Sequence, residues 1–507
     1  MVGWRATLAW LALATAMGLG LRMSAPSDLY DNEQPKTVSY TADAVLHGRW
    51  VLPRDMFGDA PHKPPMYNWL GAPIQSLGFW GEAWLKAPAI GSGLATMALT
   101  GLGGAWLLGR GRRVDAGLAA EAAGGLKGPG GAAVFGMAAA GIWLSNHAGM
   151  KLIYLARPDM VMIAFLTGAW LLSTWLLLRE PGAEPGVDKG VGPGGGGGGS
   201  SSRCWAQLGL WLCVAGAGLC KGPPALLAVV YVLLGARLLA GRWGAVGRTG
   251  MAWGLPLAAC IVGAWLGAAY SIDRAAVVNE LLGDQAVGKL HRRGLHRIVT
   301  EAYKPFTYFF SRFVPWSVLV VLALIHVPPR RWFAHPTGPM TLWVLVVIGF
   351  FLIPADRRPD YVAPAYPAAA CLAGYWLLVV ASKHGVRAGH AMMGVVAVTL
   401  GVGAYHLWLS EPARTGLGDH VKTFAAEVRA ATGGEGLVFR ETGYNPLQAL
   451  LGYNQAGPPT PSELRAGRWL IRPIEPGDEP AATSEAIPGL GSASSDRLGL
   501  FRLEEGR

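Results

Sequence analysis

The sequence predicts an all-α polytopic membrane protein of about eleven transmembrane helices, followed by a small C-terminal extracytoplasmic α/β domain. Three observations carry this expectation. Hydrophobic residues make up 52% of the 507 positions and charged residues only 15%, where a soluble chain carries roughly 25% charged residues. The apolar residues recur in long blocks separated by short charged clusters, the pattern of repeated bilayer spans and not of one large core. Beyond residue 409 the blocks stop, and Gly and Pro turns, one amphipathic stretch and short strand-like runs take over.

Taken in order, the first block is 4–21, with Arg5 at its start and no convincing small-residue cleavage site behind it, so it reads as an uncleaved anchor. Further spans are expected at 87–108, 132–145, 161–178, 206–219, 225–239, 251–270, 314–327, 340–353, 362–381 and 392–409. An odd number of spans places the termini on opposite sides, with the N-terminus cytoplasmic and the C-terminus extracytoplasmic. The clusters Arg110/Arg112/Arg113, Arg237/Arg242/Arg248, Arg330/Arg331 and Lys383/Arg387 then share the side of Arg5, as the positive-inside rule asks. Lys63, Lys151, Arg157, Lys221, Arg292, Arg293, Arg297, Arg357 and Arg358 fall on the other side and are read as functional residues that override the rule.

This organisation divides the chain into a transmembrane domain, 1–409, and an extracytoplasmic C-terminal domain, 410–507. The first contains a long extracytoplasmic loop, 22–86, and a flexible cytoplasmic linker, 180–203, rich in Gly, Ser and Pro. In the tail a helix is expected at 420–431 and strands at 436–440 and 469–471. The net charge of +11 resides at span ends and in loops, with no basic stripe or tail, which argues for phosphate or lipid headgroups and against nucleic acid. The five cysteines, Cys204, Cys213, Cys220, Cys260 and Cys371, all lie in or beside apolar blocks, so no structural disulfide is expected.

Candidate chemistry gathers at the extracytoplasmic span ends. Just past the first span lie Asp31, Glu33 and Lys36, which read as ordinary loop polarity or as a base for a hydroxyl acceptor; an Asp31-x-Glu33 pair holding a divalent metal is a third reading. Lys63-Pro64-Pro65, with Tyr67 and Trp69 one turn on, reads as the rigid start of an interfacial helix with a cation at its mouth. Arg157-Pro158-Asp159 has the form of a helix start, and Lys221-Gly222-Pro223 that of a helix end. The basic run 289–297 reads as a headgroup patch or as a gate over a lipid entry.

In this order, these elements resemble the GT-C superfamily of integral membrane glycosyltransferases, in the branch of the lipid A aminoarabinose transferase and the protein O-mannosyltransferases. The resemblance rests on the acid after the first span, Gly48-x-Trp50-x-x-Pro53, Lys63-Pro64-Pro65-x-x-x-Trp69, Arg157-Pro158-Asp159-Met160 and Lys221-Gly222-Pro223. Phe313-Val314-Pro315-Trp316 and Arg358 with Tyr361-Val362-Ala363-Pro364 extend it, so that it covers about 4–367. Where the family has adjacent Asp-Glu, this chain has Asp31-Asn32-Glu33-Gln34, and at the last element Arg358 replaces lysine with Pro359-Asp360 following. Counting back from Trp50 places the family's first acid on Glu33 and its following basic residue on Lys36; a small gap would move the acid's role to Asp31.

The resemblance implies a GT-C-like fold in a bacterial inner membrane, and transfer of a sugar from a polyprenyl-phosphate donor to a lipid, glycan or protein acceptor hydroxyl, with inversion. It implies Glu33 or Asp31 as base and Asp159 as a second carboxylate on sugar or acceptor. Lys63, Lys36, Arg157, Lys221 and Arg358 would hold the donor phosphate, and Tyr67, Trp69 and Tyr361 would contact substrate. No cofactor is required, since fixed cations do a metal's work at the leaving phosphate, although a divalent metal stays open. The rival readings are a transporter or lipid-carrier flippase and a carrier-binding protein without catalysis. Against transport, no repeat is visible and the ionisable residues crowd span ends, not the midplane.

Overall fold

The computed structural model describes residues 4–24, 29, 33–55, 57–114, 130–179, 198–279, 281, 283, 300–354, 357–385, 388–405, 409, 420–433, 436–440, 445–453, 455, 459–488 and 495–503. All eleven apolar blocks hold helix. They are α1 (Trp4–Ser24), α5 (Ala87–Val114), α6 (Gly130–Ser145), α8 (Pro158–Leu178), α9 (Gly198–Lys221), α10 (Leu226–Leu238), α11 (Met251–Ile272), α13 (Ser317–His326), α14 (Gly338–Phe350), α15 (Tyr366–Lys383) and α16 (Ala388–Tyr405). Between them lie α2 (Gln34–Leu46), α3 (Met66–Ser76), α4 (Glu82–Leu85), α7 (His147–Leu152) and α12 (Lys304–Arg312).

The expected count of eleven spans is not reproduced by length and composition. Among the described residues five helices are long and apolar enough to cross a bilayer, or six if a bent pair counts as one. That pair is α12 and α13, which meet at 113°, so the block at 314–327 is no straight span. Its corner is pinned from inside: Trp316 donates from Nε1 to Ser145 Oγ at 2.8 Å, and Phe313 stacks on Tyr366 at 5.2 Å. The linker expected at 180–203 also ends early, because 198–203 already form the start of α9; residues 180–197 lie outside the described ones.

Helix α8 packs against α9 and α5, while α5 and α15 close on α6. Small residues make these approaches possible. The apolar interior runs through Trp143, Trp170, Trp211 and Trp343, each essentially inaccessible, with the indole N–H groups of Trp170, Trp211 and Trp343 donating to backbone carbonyls, as buried tryptophans require. All five cysteines are free.

The stretch expected as a loop at 22–86 begins inside α1 and holds, among its described residues, the helices α2, α3 and α4. Pro35 sits in the first turn of α2, where a missing N–H costs nothing. Helix α3 begins directly after Pro64-Pro65 and lies so close to α2 that a Cβ on Gly71 would come within 3.1 Å of Thr41. The two are joined by a buried hydrogen bond from Thr41 Oγ1 to Asn68 Oδ1 at 3.2 Å.

The C-terminal region holds a small α/β unit: α17 (His420–Thr432), β1 (Leu437–Phe439), α18 (Asn445–Leu451), α19 (Pro461–Ala466), β2 (Trp469–Pro473), β3 (Ala482–Pro488) and β4 (Ser495–Arg502). Its sheet runs β1-β2-β4-β3, with β1 parallel to β2 and the other pairs antiparallel. The unit docks through α18 on α2. Lys422 of α17 also reaches Glu82 of α4 at 3.1 Å, and Glu82 pairs with the fully buried Lys86 at 2.6 Å. The same helix α2 therefore touches the C-terminal unit through α18 and has Glu33 at its N-terminal end.

Candidate active site

Glu33 occupies the cap position of α2 without capping it through its side chain, so its carboxylate is available for other partners. One oxygen meets the Lys63 ammonium; the other accepts from Arg358 at 3.3 Å. The neighbouring Gln34 fixes this end of α2 against the bundle, its Oε1 accepting from Ala156 N at 2.8 Å. That contact places Glu33 beside the start of α8.

There Arg157 precedes Pro158 in extended conformation and Asp159 falls in the first turn, where a carboxylate complements the helix dipole. Arg157 is 4% exposed and Asp159 1%. The guanidinium lies 3.1 Å from Asp159 and 3.1 Å from Asp360. On its other side Asp159 binds the Lys221 ammonium. Helix α9 ends on Lys221 because Gly222 turns the chain with φ of 70°, a conformation other residues resist, and the ammonium faces the Tyr361 ring at 5.0 Å.

The result is two neighbouring ion-pair groups, Lys63–Glu33–Arg358 and Lys221–Asp159–Arg157–Asp360, close enough for Arg157 to act on Glu33 and Lys221 on Lys63 through charge. A cavity of about 30 Å³ opens beside them, bordered by Glu33, Lys63, Tyr67, Asn68 and Pro158. Burial would raise the Glu33 carboxyl, but Lys63, by charge and hydrogen bond, and then Arg157 and Arg358 outweigh it and bring it down to about 2. Burial and the nearby Lys221 push the Lys63 ammonium down to about 8, against the opposing pull of Glu33 and Asp159.

The sequence-predicted residues Glu33, Lys63, Arg157, Asp159, Lys221, Arg358 and Tyr361 are thus brought together. Others are placed differently. Asp159 is enclosed between Arg157 and Lys221 and is not among the residues that border this cavity. Lys36 borders the cavity, but its ammonium lies 3.3 Å from Asp55 and 3.4 Å from Asp59, two carboxylates of the following loop that compete for it. Tyr67 contributes its ring, while its hydroxyl donates to Leu85 O at 2.9 Å. Trp69 points away and donates to Trp50 O at 2.7 Å, bracing the loop alongside Trp265, whose Nε1 holds Val51 O at 3.0 Å. Asp31 and the basic run 289–297 lie outside the described residues. Among those described, no three His, Cys, Asp or Glu residues converge as a metal site.

Sequence reasoning missed Asp360 as a member. Its signal was the departure at Pro359-Asp360, where a carboxylate follows a candidate phosphate ligand.

No protein-family profile matches the sequence, and no curated protein matches it either. Solved structures do match by fold. ArnT from Cupriavidus metallidurans bound to undecaprenyl phosphate superposes with a TM-score of 0.65 at 14% identity, covering 98% of both chains. The apo state of the same protein gives 0.64 at 15%, covering 99% of both. The Archaeoglobus fulgidus oligosaccharyltransferase in complex with Zn and sulfate gives 0.50 at 14%, covering 92% of this chain and 68% of that one. Along essentially its whole length, this chain shares the fold of the two ArnT structures.

Proposed function

We propose that the chain is a membrane glycosyltransferase that moves a sugar from a polyprenyl-phosphate donor to an acceptor hydroxyl on the extracytoplasmic side, with inversion at the anomeric carbon. The observation that carries this reading is the cluster of four cations at one end of the bundle, on a fold shared with a protein solved with undecaprenyl phosphate. Its four cations against three carboxylates leave one net positive charge, which a phosphodiester donor would neutralise. Lys63 and Arg358, nearest the open side, would contact the phosphate, with Lys221 and Arg157 behind them. Preorganised cations stabilise the charge that develops on the leaving phosphate, with no proton needed there. Glu33 would take the acceptor's proton as its oxygen attacks the anomeric carbon opposite the phosphate. Asp159 and Asp360 act as counter-ions that fix the two rear cations.

The test is transfer of label from a panel of radiolabelled polyprenyl-phosphate sugars into membrane lipid and protein fractions, for wild type, Asp31→Ala and Lys63→Ala. Transfer by wild type and a donor KM raised by about tenfold or more in Lys63→Ala support the reading, and the labelled fraction names the acceptor class. Carrier that crosses the bilayer unchanged, with no sugar transferred from any donor, overturns it in favour of a flippase.

The Lys63 ammonium also sets a pH dependence. It is charged below about 8 and loses its charge as pH rises through that value. Donor kcat/KM is therefore expected to fall on the alkaline side from near pH 8, and Lys63→Arg, whose charge persists, should move that limb upward. An unchanged limb in Lys63→Arg would assign it to another group.

A further inference from the structure

Each cation of the site is already paired with one of its carboxylates, and the pairing that matters most is at the proposed base. Both oxygens of Glu33 face cations, one Lys63 and the other Arg358. An acceptor hydroxyl needs a carboxylate oxygen that is not already committed, because a base held by two cations has little affinity for a proton. The two cations differ from Arg157 in how firmly they are held. Arg157 has two carboxylates, Asp159 and Asp360, and is almost wholly buried. Arg358 is 50% exposed at its side chain, and Lys63 projects from the loop before α3 beside the cavity.

We propose that Glu33 is a placeholder for the donor phosphate: it holds Lys63 and Arg358 until the phosphate takes them over, and only then is it released to act as base. The inference rests on the reading of Glu33 as base and adds an order of events to it. The phosphate enters and the ion pairs exchange from Glu33 to phosphate oxygens. The freed carboxylate, now beside a negative phosphate, gains proton affinity. In the transfer step the acceptor O–H proton goes to Glu33 and the oxygen forms its bond to the anomeric carbon. The bond from that carbon to the phosphate oxygen breaks, and its electron pair stays on the polyprenyl phosphate. Donor binding thus precedes acceptor activation, and the unloaded site has no competent base to direct at a stray hydroxyl or water.

The exchange is tested on the full-length protein by binding of a polyprenyl monophosphate without sugar, alongside donor turnover. If Glu33 competes for the cations, Glu33→Gln should bind the lipid phosphate about fivefold to tenfold tighter although transfer is lost. The gain should shrink when Lys63→Ala is also present, because one of the two exchanged cations is then gone. Affinity equal to or weaker than wild type in Glu33→Gln overturns the proposal, and so does a gain that survives intact in the Lys63→Ala background, which would mark simple charge repulsion. Should Glu33→Gln fail to fold, Glu33→Asp, with its shorter reach to both cations, is expected to give a smaller tightening in the same assay, and its absence counts against the exchange. The transfer readout judges the base separately: wild-type turnover in Glu33→Gln refutes Glu33 as base whatever the affinities show.

Discussion

Glu33→Gln is expected to lower the maximal rate of sugar transfer by about 10²- to 10⁴-fold, the range that a positioned general base contributes. The substitution keeps the size of the side chain and, because Glu33 makes no side-chain cap to α2, leaves the helix start intact. The loss should therefore appear in kcat, with the variant as heat-stable as wild type in detergent and its donor KM not raised. Single-turnover measurement with donor preloaded separates chemistry from product release. A residual rate within about threefold of wild type would be too small a loss for a base and would direct attention to Asp31, three residues from Gln34 in the same loop.

The second large effect is on stability. Asp159→Asn should cost about 3–5 kcal/mol, because removing one partner of a buried ion network leaves uncompensated charge behind. Asp159 is the link common to Arg157 and Lys221, and these residues stand at the start of α8 and the end of α9. Its loss leaves Lys221 with the Tyr361 ring and Arg157 with Asp360. Asp360→Asn should cost less, since Arg157 then retains Asp159. Thermal unfolding of the two variants side by side checks the ranking; a Tm for Asp159→Asn no lower than that for Asp360→Asn would show that the network does not hold α8 to α9. Donor affinity should fall in both, as Arg157 loses one orienting carboxylate in either variant and Lys221 loses its own in Asp159→Asn.

The sequence foretold the helical blocks because a bilayer-length run of apolar residues is a local property, readable without knowing what it packs against. It also foretold α3 in the first loop, where Lys63-Pro64-Pro65 and the aromatics after it announce a helix start, and the helix of the tail, expected at 420–431 and found at His420–Thr432. Lys63, Arg157 and Lys221 could be read as candidate site residues only through the family resemblance, since a charge at a helix end is by itself ordinary. The corner between α12 and α13 was not legible: Phe313-Val314-Pro315-Trp316 is apolar enough to continue a span, and only its docking on Ser145 and Tyr366 bends it.

The pairings belong to the tertiary structure alone. Arg157 and Asp360 are separated by 203 residues, and no spacing rule reaches that far. Which cation meets which carboxylate depends on how the ends of α8, α9 and the turn before α15 are set against α2. The same holds for the partners of other candidate residues: Lys36 pairs with Asp55 and Asp59, Trp69 with the backbone at Trp50, and Asp159 with Arg157 and Lys221. Periodicity and composition determined where the helices lie, because burying apolar length needs no specific partner. The site was decided by packing, because a charge taken out of water must find its opposite wherever the fold brings one.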